Sequence, residues 1–410
     1  MAENISCSID FKKLKEKKLE NEKKYNYTYD ENLAEYFAAS VGAKPRGRET
    51  ESELDENGAF VRQANYFIEP ITKEQAEKYK YRVYWSPGCN WSNRPVIAKE
   101  ILGLDDVITD YKVSHTPSKY GWGFPEEKDF KDPITGVYFL SQFYLNADKD
   151  YTGRATTPTL VNTDLKVAAN NDYHRLTNHI EVAFRGLQPK DAPDLYPVKY
   201  RKEIDELNDW LFPHVNNGHY RQAFTSNPLV YEESQKDFHA ALEKLDKRLE
   251  TNRFLFGDYI TDSDIRAYVS LVKWETDFYV NVGPQIKRIR EYKNIWGYIK
   301  DLYQIPAFKN HTNLPKEGNL NLGVFNRYLD RLAKSNWDEF FKVDDSRKKL
   351  SADPENVYLK HPEGETVEDY IKPISVSKWN NKDPKVRGDW NFQLSVDPSI
   401  NPLKGLLKNN

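Results

Sequence analysis

The sequence predicts an α/β unit followed by an all-α unit, and three observations carry that prediction. A strand-like run, Tyr81-Arg82-Val83-Tyr84-Trp85, leads through the turn Ser86-Pro87-Gly88 into a segment whose apolar residues Val96, Ile97, Ile101 and Leu102 fall at helical spacing. Further β-rich stretches and a second helical pattern follow before Phe184. Beyond about residue 201 the periodicity is helical, with Phe238, Leu242, Leu245 and Leu249 forming one apolar stripe. The 410 residues leave room for two such units and for extensions.

Composition narrows the function classes. Sixty basic and 63 acidic residues leave a net charge of −3, which gives no electrostatic footprint for nucleic acid. No window approaches the roughly 18 consecutive apolar residues of a membrane span. Met1-Ala2-Glu3-Asn4 lacks the basic and apolar regions of a secretory signal, so none is expected. Cys7 and Cys89, the only cysteines, are too few for a disulfide framework, and a reducing cytoplasm is the expected setting.

Residues 1–56 form a charged leader in which Lys12 to Lys24 reads as a solvated helix. An ordered approach begins at Asn57-Gly58-Ala59-Phe60-Val61-Arg62-Gln63, and the first domain spans 57–184. Within it the second strand is expected at Val107–Val113. An insertion at 114–150 then carries Gly121-Trp122-Gly123-Phe124, and a segment of that length suits a lid or binding loop. Thr157-Pro158-Thr159-Leu160-Val161 forms the third strand, turning at Asn162-Thr163-Asp164 into Lys166-Val167-Ala168. Proline at the head of a strand facing a cysteine-bearing helix start suggests a cis bond, which opens the Thr157 backbone to an extended ligand. Asn171 or Asp172 can cap the next helix, whose apolar row is Leu176, Ile180 and Phe184. This order of elements is that of a thioredoxin-like domain.

Pro189, Pro193 and Pro197 mark a linker at 185–200, and a helical bundle is expected at 201–325. There Thr261-Asp262-Ser263-Asp264 offers a capping arrangement for a helix opening at Ile265. Residues 326–410 are polar with scattered Pro and Trp, and read as an irregular extension wrapped on the body or partly disordered.

Cys89 stands where a strand gives way to a helix, so the free N–H groups and positive dipole end of that helix favour a thiolate. Arg94 adds positive charge nearby. Ser92 replaces a second cysteine, so the expected intermediate is a mixed disulfide with a small thiol that another thiol resolves. Metal chemistry has little support, because His174 and His179 lie five apart and no HExxH occurs. Nucleotide-binding glycine motifs are also missing from the sequence.

From about Ala59 to Pro306 the chain resembles the Xi-class glutathione transferases, also called glutathionyl-hydroquinone reductases. Cys89-Asn90-Trp91-Ser92-Asn93-Arg94 answers the family's Cys-Pro-Trp-Ala-His-Arg at Cys, Trp and Arg. Gly153-Arg154-Ala155-Thr156-Thr157-Pro158-Thr159-Leu160 answers Gly-Arg-Val-Thr-Val-Pro-Val-Leu, and Asn216-Asn217-Gly218-His219-Tyr220 answers Asn-Asn-Gly-x-Tyr. Ile204-Asp205-Glu206-Leu207-Asn208 also matches. The resemblance implies a glutathione-transferase-type bundle after the thioredoxin-like domain, a homodimer, and glutathione or another low-molecular-weight thiol as co-substrate. It further implies that Cys89 attacks the sulfur of a glutathionyl-hydroquinone or related aromatic thioether. The thiol backbone would pair with Thr157 beside Pro158, Trp122 would stack on the ligand and Arg154 would attract its carboxylate. Tyr220 would donate to the aromatic oxygen.

The departures from the family pattern concern recognition. Asn170-Asn171-Asp172 replaces Asn-Glu-Ser, so Asn171 lacks the charge that would hold the ligand amine, and Asp172 reaches it only after a one-residue shift. Two acceptor-site tyrosines align with Phe278 and Trp296, although Tyr279 adjoins the first. Pro95 enters the cysteine-bearing helix, and the family's C-terminal Ile-Asn-Pro-x-Gly-Ile survives distantly at Ile400–Gly405. One lost charge-assisted contact weakens binding about ten- to a hundredfold, so the thiol is either weakly held glutathione or a different one. Two functional readings follow: a Cys89-dependent thiol transferase or reductase, or a non-catalytic binding or scaffold protein on the same frame. Adduct formation on Cys89 separates them. A conventional transferase using Tyr as activator fits poorly, since no Tyr stands at the helix start.

Overall fold

Four strands form one mixed sheet around β1 (Tyr81–Trp85), whose aromatic and β-branched residues are buried on both faces. In the computed structural model the described residues are 54–115, 119–127, 129–276, 278–280, 282, 285–314, 336–377 and 379, with 35, 39 and 399 as isolated positions. Cys7, the Lys12–Lys24 stretch and Ile400–Gly405 lie outside them.

The cysteine-bearing helix, α2 (Asn90–Ile101), follows α1 (Lys73–Lys78) and β1. Then comes β2 (Ile108–Lys112), parallel to β1 from Tyr81↔Ile108 to Trp85↔Lys112. The insertion folds as a small ribbon of β3 (Ser114–His115) and β4 (Trp122–Gly123) plus α3 (Ser141–Ala147). It packs a local core of Val113, Phe124, Leu140, Phe143 and Tyr144 on Tyr84. Next, β5 (Thr159–Asn162) runs antiparallel to β1 and β6 (Val167–Asn170) antiparallel to β5, giving the order β2-β1-β5-β6. The Thr157-Pro158 peptide is cis. Helix α4 (Leu176–Ala183) closes this half.

The apolar periodicity begins only at Val96, but α2 starts at Asn90 with Cys89 as its N-cap, at the strand-to-helix junction expected from the sequence. Its first turn is polar but buried, wedged between the sheet and the helical half, where an apolar pattern carries no signal.

The second half comprises α5 (Arg201–Leu211), a π-helical turn (Phe212–Asn216), α6 (Gly218–Phe224), α7 (Pro228–Glu250), α8 (Asp262–Thr276), α9 (Lys293–Tyr303) and α10 (Pro306–His311). Helix α8 is buried along its whole length and packs on α2. It opens three residues before Ile265, at Asp262, with the Asp264 carboxylate accepting the Thr261 N–H at 2.8 Å and the Leu255 N–H at 2.9 Å. One continuous apolar cluster joins the halves, running from Val83 and Ile97 through Ile204 and Leu245 to Leu271 and Ile299. Among the described residues no helix is long and apolar enough to cross a membrane.

Residues 336–377 form short helices and extended pieces that seat in this body. Helix α11 (Trp337–Phe340) lies against α9 through Trp296 and Phe340, 5.3 Å between ring centres. The buried Arg347 guanidinium donates to the carbonyls of Leu249 (3.0 Å) and Arg253 (2.7 Å). Helix α12 (Val367–Tyr370) brings the Tyr370 hydroxyl to Asp194 Oδ1 at 3.1 Å.

Asp194 also faces His361 Nδ1 at 3.7 Å, and that nitrogen lies 2.8 Å from Glu365 Oε2. Burial, then the Glu365 charge, pushes the Asp194 carboxyl up to about 7. A raised carboxyl binds its proton preferentially in the folded state. Its contribution is therefore complete below about pH 4, the ordinary carboxyl range, and is lost as pH rises through about 7. Asp194→Asn keeps the acceptor for Tyr370 and the Tyr196 N–H but cannot ionise. Denaturant midpoints between pH 5 and about 8 should therefore fall less steeply with pH in the variant than in the wild type.

Candidate functional site

Cys89 is the N-cap of α2, with φ −99° and ψ 113°, and its Sγ makes no capping bond to the helix. Its backbone N–H donates to Ser86 and its carbonyl accepts from Ser92, both at 3.0 Å, so the turn holds the side chain at the helix mouth. The thiol is half-buried and lies 3.6 Å from the Thr157 carbonyl, across from the cis Pro158. The sulfur thus sits at the mouth of the helix and meets the backbone edge leading into β5, while the N–H groups of Trp91 and Ser92 are taken up by Asn90 Oδ1 and the Cys89 carbonyl.

Aromatic rings surround that sulfur. Trp91, Phe212 and Trp379 form a buried cluster against which Cys89, Tyr173 and Tyr220 pack. Arg94, 2% exposed, lays its guanidinium 4.2 Å over the Trp91 ring and donates to the Tyr173 carbonyl at 3.2 Å. Burial first, then the Arg266 charge, pulls it well below its ordinary value, while Asp262 and Cys89 act in the opposite sense. Burial likewise pushes His174 and His219 well below the usual imidazole range. Neutral His219 stacks on Phe278 at 4.2 Å.

Beneath the site, Asp262 accepts from Thr177 (2.5 Å), Asn208 (2.8 Å) and Arg266 (2.5 Å). It therefore ties α4, α5 and α8 together behind α2. Burial raises its pKa, but Arg266 and the Thr177 hydrogen bond outweigh that, and the net direction is down.

The other residues singled out in the sequence fall in several places. Trp122 is half-buried beside the insertion core. The Arg154 backbone is held by Gln63, which accepts its N–H at 2.8 Å. Asn171 accepts from the backbone of Phe67 at 2.9 Å. Asp172 Oδ1 accepts Asn65 Nδ2 at 3.1 Å and the N–H groups of His174 and Arg175 at 3.0 and 3.2 Å. Both side chains thus turn inward, and Asp172 closes the start of α4. Phe278 lies 6.4 Å from Tyr220, whereas Tyr279 lies under the Arg288 guanidinium at 4.2 Å.

Trp296, which the gapless alignment sets in the acceptor site, makes ring contacts with the extension. It packs on Phe340 and Phe341, because the extension, which the alignment does not include, covers that face of α9. Tyr220, expected to donate to a ligand, instead donates to Asn90 Oδ1 at 3.0 Å.

Three residues were missed. Arg62 reaches over Tyr220 at 4.3 Å and Trp91 at 5.0 Å while donating to Asn217, and nothing in its local sequence signals this. Asn90 could have been noticed as the residue replacing the family's proline. Trp379 belongs to a segment without periodicity, yet its indole N–H donates to the Asp209 carbonyl at 2.8 Å and its ring sits 5.2 Å from Phe212. Trp379→Ala should cost about 3–5 kcal/mol, the usual range for truncating a packed aromatic. It should also speed alkylation of Cys89 by iodoacetamide, read by peptide mass mapping.

The chain is similar in sequence and fold to known proteins. Residues 228–301 match the family described as glutathione S-transferase, C-terminal domain. Glutathione S-transferase omega-like 2 of Schizosaccharomyces pombe is 32% identical over 269 residues, covering 63% of this chain and 86% of that protein. Glutathionyl-hydroquinone reductase YqjG of Escherichia coli is 30% identical over 269 residues, covering 62% and 82% respectively; its glutathione-bound structure superposes with a TM-score of 0.53 over 65% of this chain and 84% of that one. The Xi glutathione S-transferase of Phanerochaete chrysosporium superposes with a TM-score of 0.61 at 31% identity, covering 66% of this chain and 89% of that one. With fold, order of elements and sequence in agreement over most of those relatives' lengths, the chain belongs to the Xi-class glutathione transferase family of enzymes.

Proposed function

We propose that this protein is a thiol-dependent reductase of glutathionyl-hydroquinones or closely related aromatic thioethers, with Cys89 as nucleophile. The Cys89 thiolate attacks the glutathione sulfur of the conjugate. An S–S bond forms as the aryl C–S bond breaks, and the ring carbon takes a proton to give the hydroquinone. A second glutathione then attacks the mixed disulfide, returning Cys89 and releasing glutathione disulfide, so the ring carbon is reduced by two electrons while one free thiol and the conjugate's own glutathionyl sulfur end as the disulfide.

The observation that carries this reading is the half-exposed Cys89 sulfur at the α2 N-cap, 3.6 Å from the Thr157 carbonyl. The name of the Escherichia coli relative and its glutathione-bound structure support the choice of thiol and conjugate. In this reading Thr157 and Pro158 meet the tripeptide backbone, Trp122 and Arg154 its outer parts, and Tyr220 with Phe278 the aromatic ring. Asp172 shapes the start of α4, and Asn171 holds the backbone of Phe67. Two such chains form the functional dimer in the cytoplasm.

Intact-mass analysis after treatment with glutathione disulfide near neutral pH tests the reading. One glutathionyl adduct, mapped to Cys89 and removed by free glutathione, is expected. An unmodified Cys89 overturns it. The inward-turned Asp172 favours one alternative, a binding or scaffold role on an eroded thiol site, under which Cys89→Ala leaves the biological role intact.

A further inference from the structure

Outside the Cys89 site, three side chains able to hold a metal meet where the extension crosses the 185–200 segment: Asp194, His361 and Glu365. The backbone sets their meeting. The Asp194 N–H donates to the Leu359 carbonyl at 2.8 Å and Pro193 pairs with Lys360, which lays Asp194 beside His361. The turn His361-Pro362-Glu363-Gly364-Glu365 then folds Glu365 back toward the same ring, with Gly364 at φ +82° and the Glu365 N–H on the Pro362 carbonyl at 3.1 Å. His361 Nδ1 lies 2.8 Å from Glu365 Oε2 and 3.7 Å from Asp194 Oδ2, and all three ligand atoms are within 4.8 Å of one another. Donors about 2.0–2.1 Å from a tetrahedral zinc stand roughly 3.3 Å apart, a value that the two nitrogen–oxygen separations bracket. The Asp194 carboxylate gives an independent sign. Asp194 is 1% exposed, and its Oδ1 accepts from the Tyr196 N–H and the Tyr370 hydroxyl, each at 3.1 Å. Its Oδ2 is buried, faces the His361 ring and accepts no hydrogen bond among the described residues. Such an oxygen is costly to bury, and a cation satisfies it. Arg201 also acts on Asp194, but its guanidinium donates to the carbonyls of Tyr196, Tyr370 and Lys372. Burial lowers the His361 pKa against the pull of Glu365, so the ring is neutral and keeps a lone pair. The Pro193 carbonyl favours a proton on that ring; with Nδ1 given to an ion, the proton sits on buried Nε2, as in imidazoles oriented for ligation.

We infer that Asp194, His361 and Glu365 form a site for one divalent transition-metal ion, with zinc the best fit, that fastens the extension to the 185–200 segment. One imidazole nitrogen and two carboxylate oxygens suit zinc, and water completes the fourth position. Magnesium and calcium, which take oxygen ligands, use the imidazole poorly. The ion exchanges the His361 contact with Glu365 for a bond to each side chain and brings two positive charges to two crowded carboxylates. Its role is structural, and the site is independent of the reductase reading. The Asp194→Asn comparison made above concerns the metal-free chain.

The test uses the full chain without an affinity tag, stripped with EDTA and exchanged into chelator-free buffer. Its cysteines are blocked with iodoacetamide so that no thiolate takes the metal. Zinc chloride is titrated by calorimetry at neutral pH into the wild type, His361→Gln, Glu365→Gln and Asp194→Asn. The wild type should bind one equivalent in the micromolar range or tighter, and its unfolding midpoint should rise with zinc concentration. Each variant should bind more weakly by at least the roughly 10- to 100-fold that loss of a ligand's outer partner costs, with a correspondingly smaller rise in midpoint. Glu365→Gln and Asp194→Asn keep the hydrogen-bond acceptors of the cluster, so a purely hydrogen-bonded role predicts zinc affinity unchanged by them. A variant whose fold fails by circular dichroism is set aside, and the others decide. Equal zinc binding by the wild type and the folded variants, or no zinc bound by the wild type at submillimolar concentration, overturns the inference.

Discussion

Cys89→Ser should lower the single-turnover release of hydroquinone from a glutathionyl-hydroquinone by about a thousandfold or more while leaving the unfolding midpoint nearly unchanged. Serine is close to isosteric and can still donate to the Thr157 carbonyl, so the turn Ser86 to Ser92 has no reason to move. What is lost is the nucleophile: a serine hydroxyl stays protonated near neutral pH, and sulfur transfer needs an anion that can form an S–S bond. Rapid-quench chromatography of the released aromatic measures the step directly. Cys7 remains in the variant as a built-in control. Full activity in the variant would move the chemistry away from Cys89.

Asp262→Ala should destabilise the protein by about 3–5 kcal/mol, the scale for stranding one partner of a buried ion pair. Arg266, 2% exposed, would be left without its carboxylate, and the donors of Thr177 and Asn208 would lose their acceptor together. Asp262→Asn keeps an acceptor and should cost less. The pH dependence has a definite sign. A carboxyl held below its ordinary value contributes stability above the unfolded-state pKa near 4 and loses it as pH falls through the folded value. Denaturant titrations should therefore show the wild type losing more stability on acidification than Asp262→Ala.

Much of the frame was legible in the sequence because the signals were local. Tyr81–Trp85 reads as a strand from its residue types, the Phe238 to Leu249 stripe reads as a helix from its spacing, and proline heading the third strand marks the cis Thr157-Pro158 bond. The meeting of Cys89 with Thr157 followed from element order, since a strand-to-helix turn and a proline-led strand of one sheet share an end. What escaped was set by distant partners. Arg62 acts through rings up to 158 positions away, from its own residue to Tyr220. Asn90 looks like an unremarkable polar substitution until the Tyr220 hydroxyl is seen on it. Trp296 stands where alignment suggests a ligand-facing ring, and its packing on Phe340 and Phe341 is announced by no periodicity in 326–410.

The path of the chain between Tyr370 and Trp379 has a consequence for biosynthesis. Arg201 grips the carbonyls of Tyr370 and Lys372 at 2.9 and 3.3 Å, Ser377 reaches Asp209 at 3.0 Å, and Trp379 then fills the space beside Phe212. A nascent polypeptide emerging from the ribosome would have folded its sheet and helical body long before this last side chain appears. The aromatic cluster beside Cys89 is therefore completed only after Trp379 has been made, and fragments that stop short of it leave that cluster open.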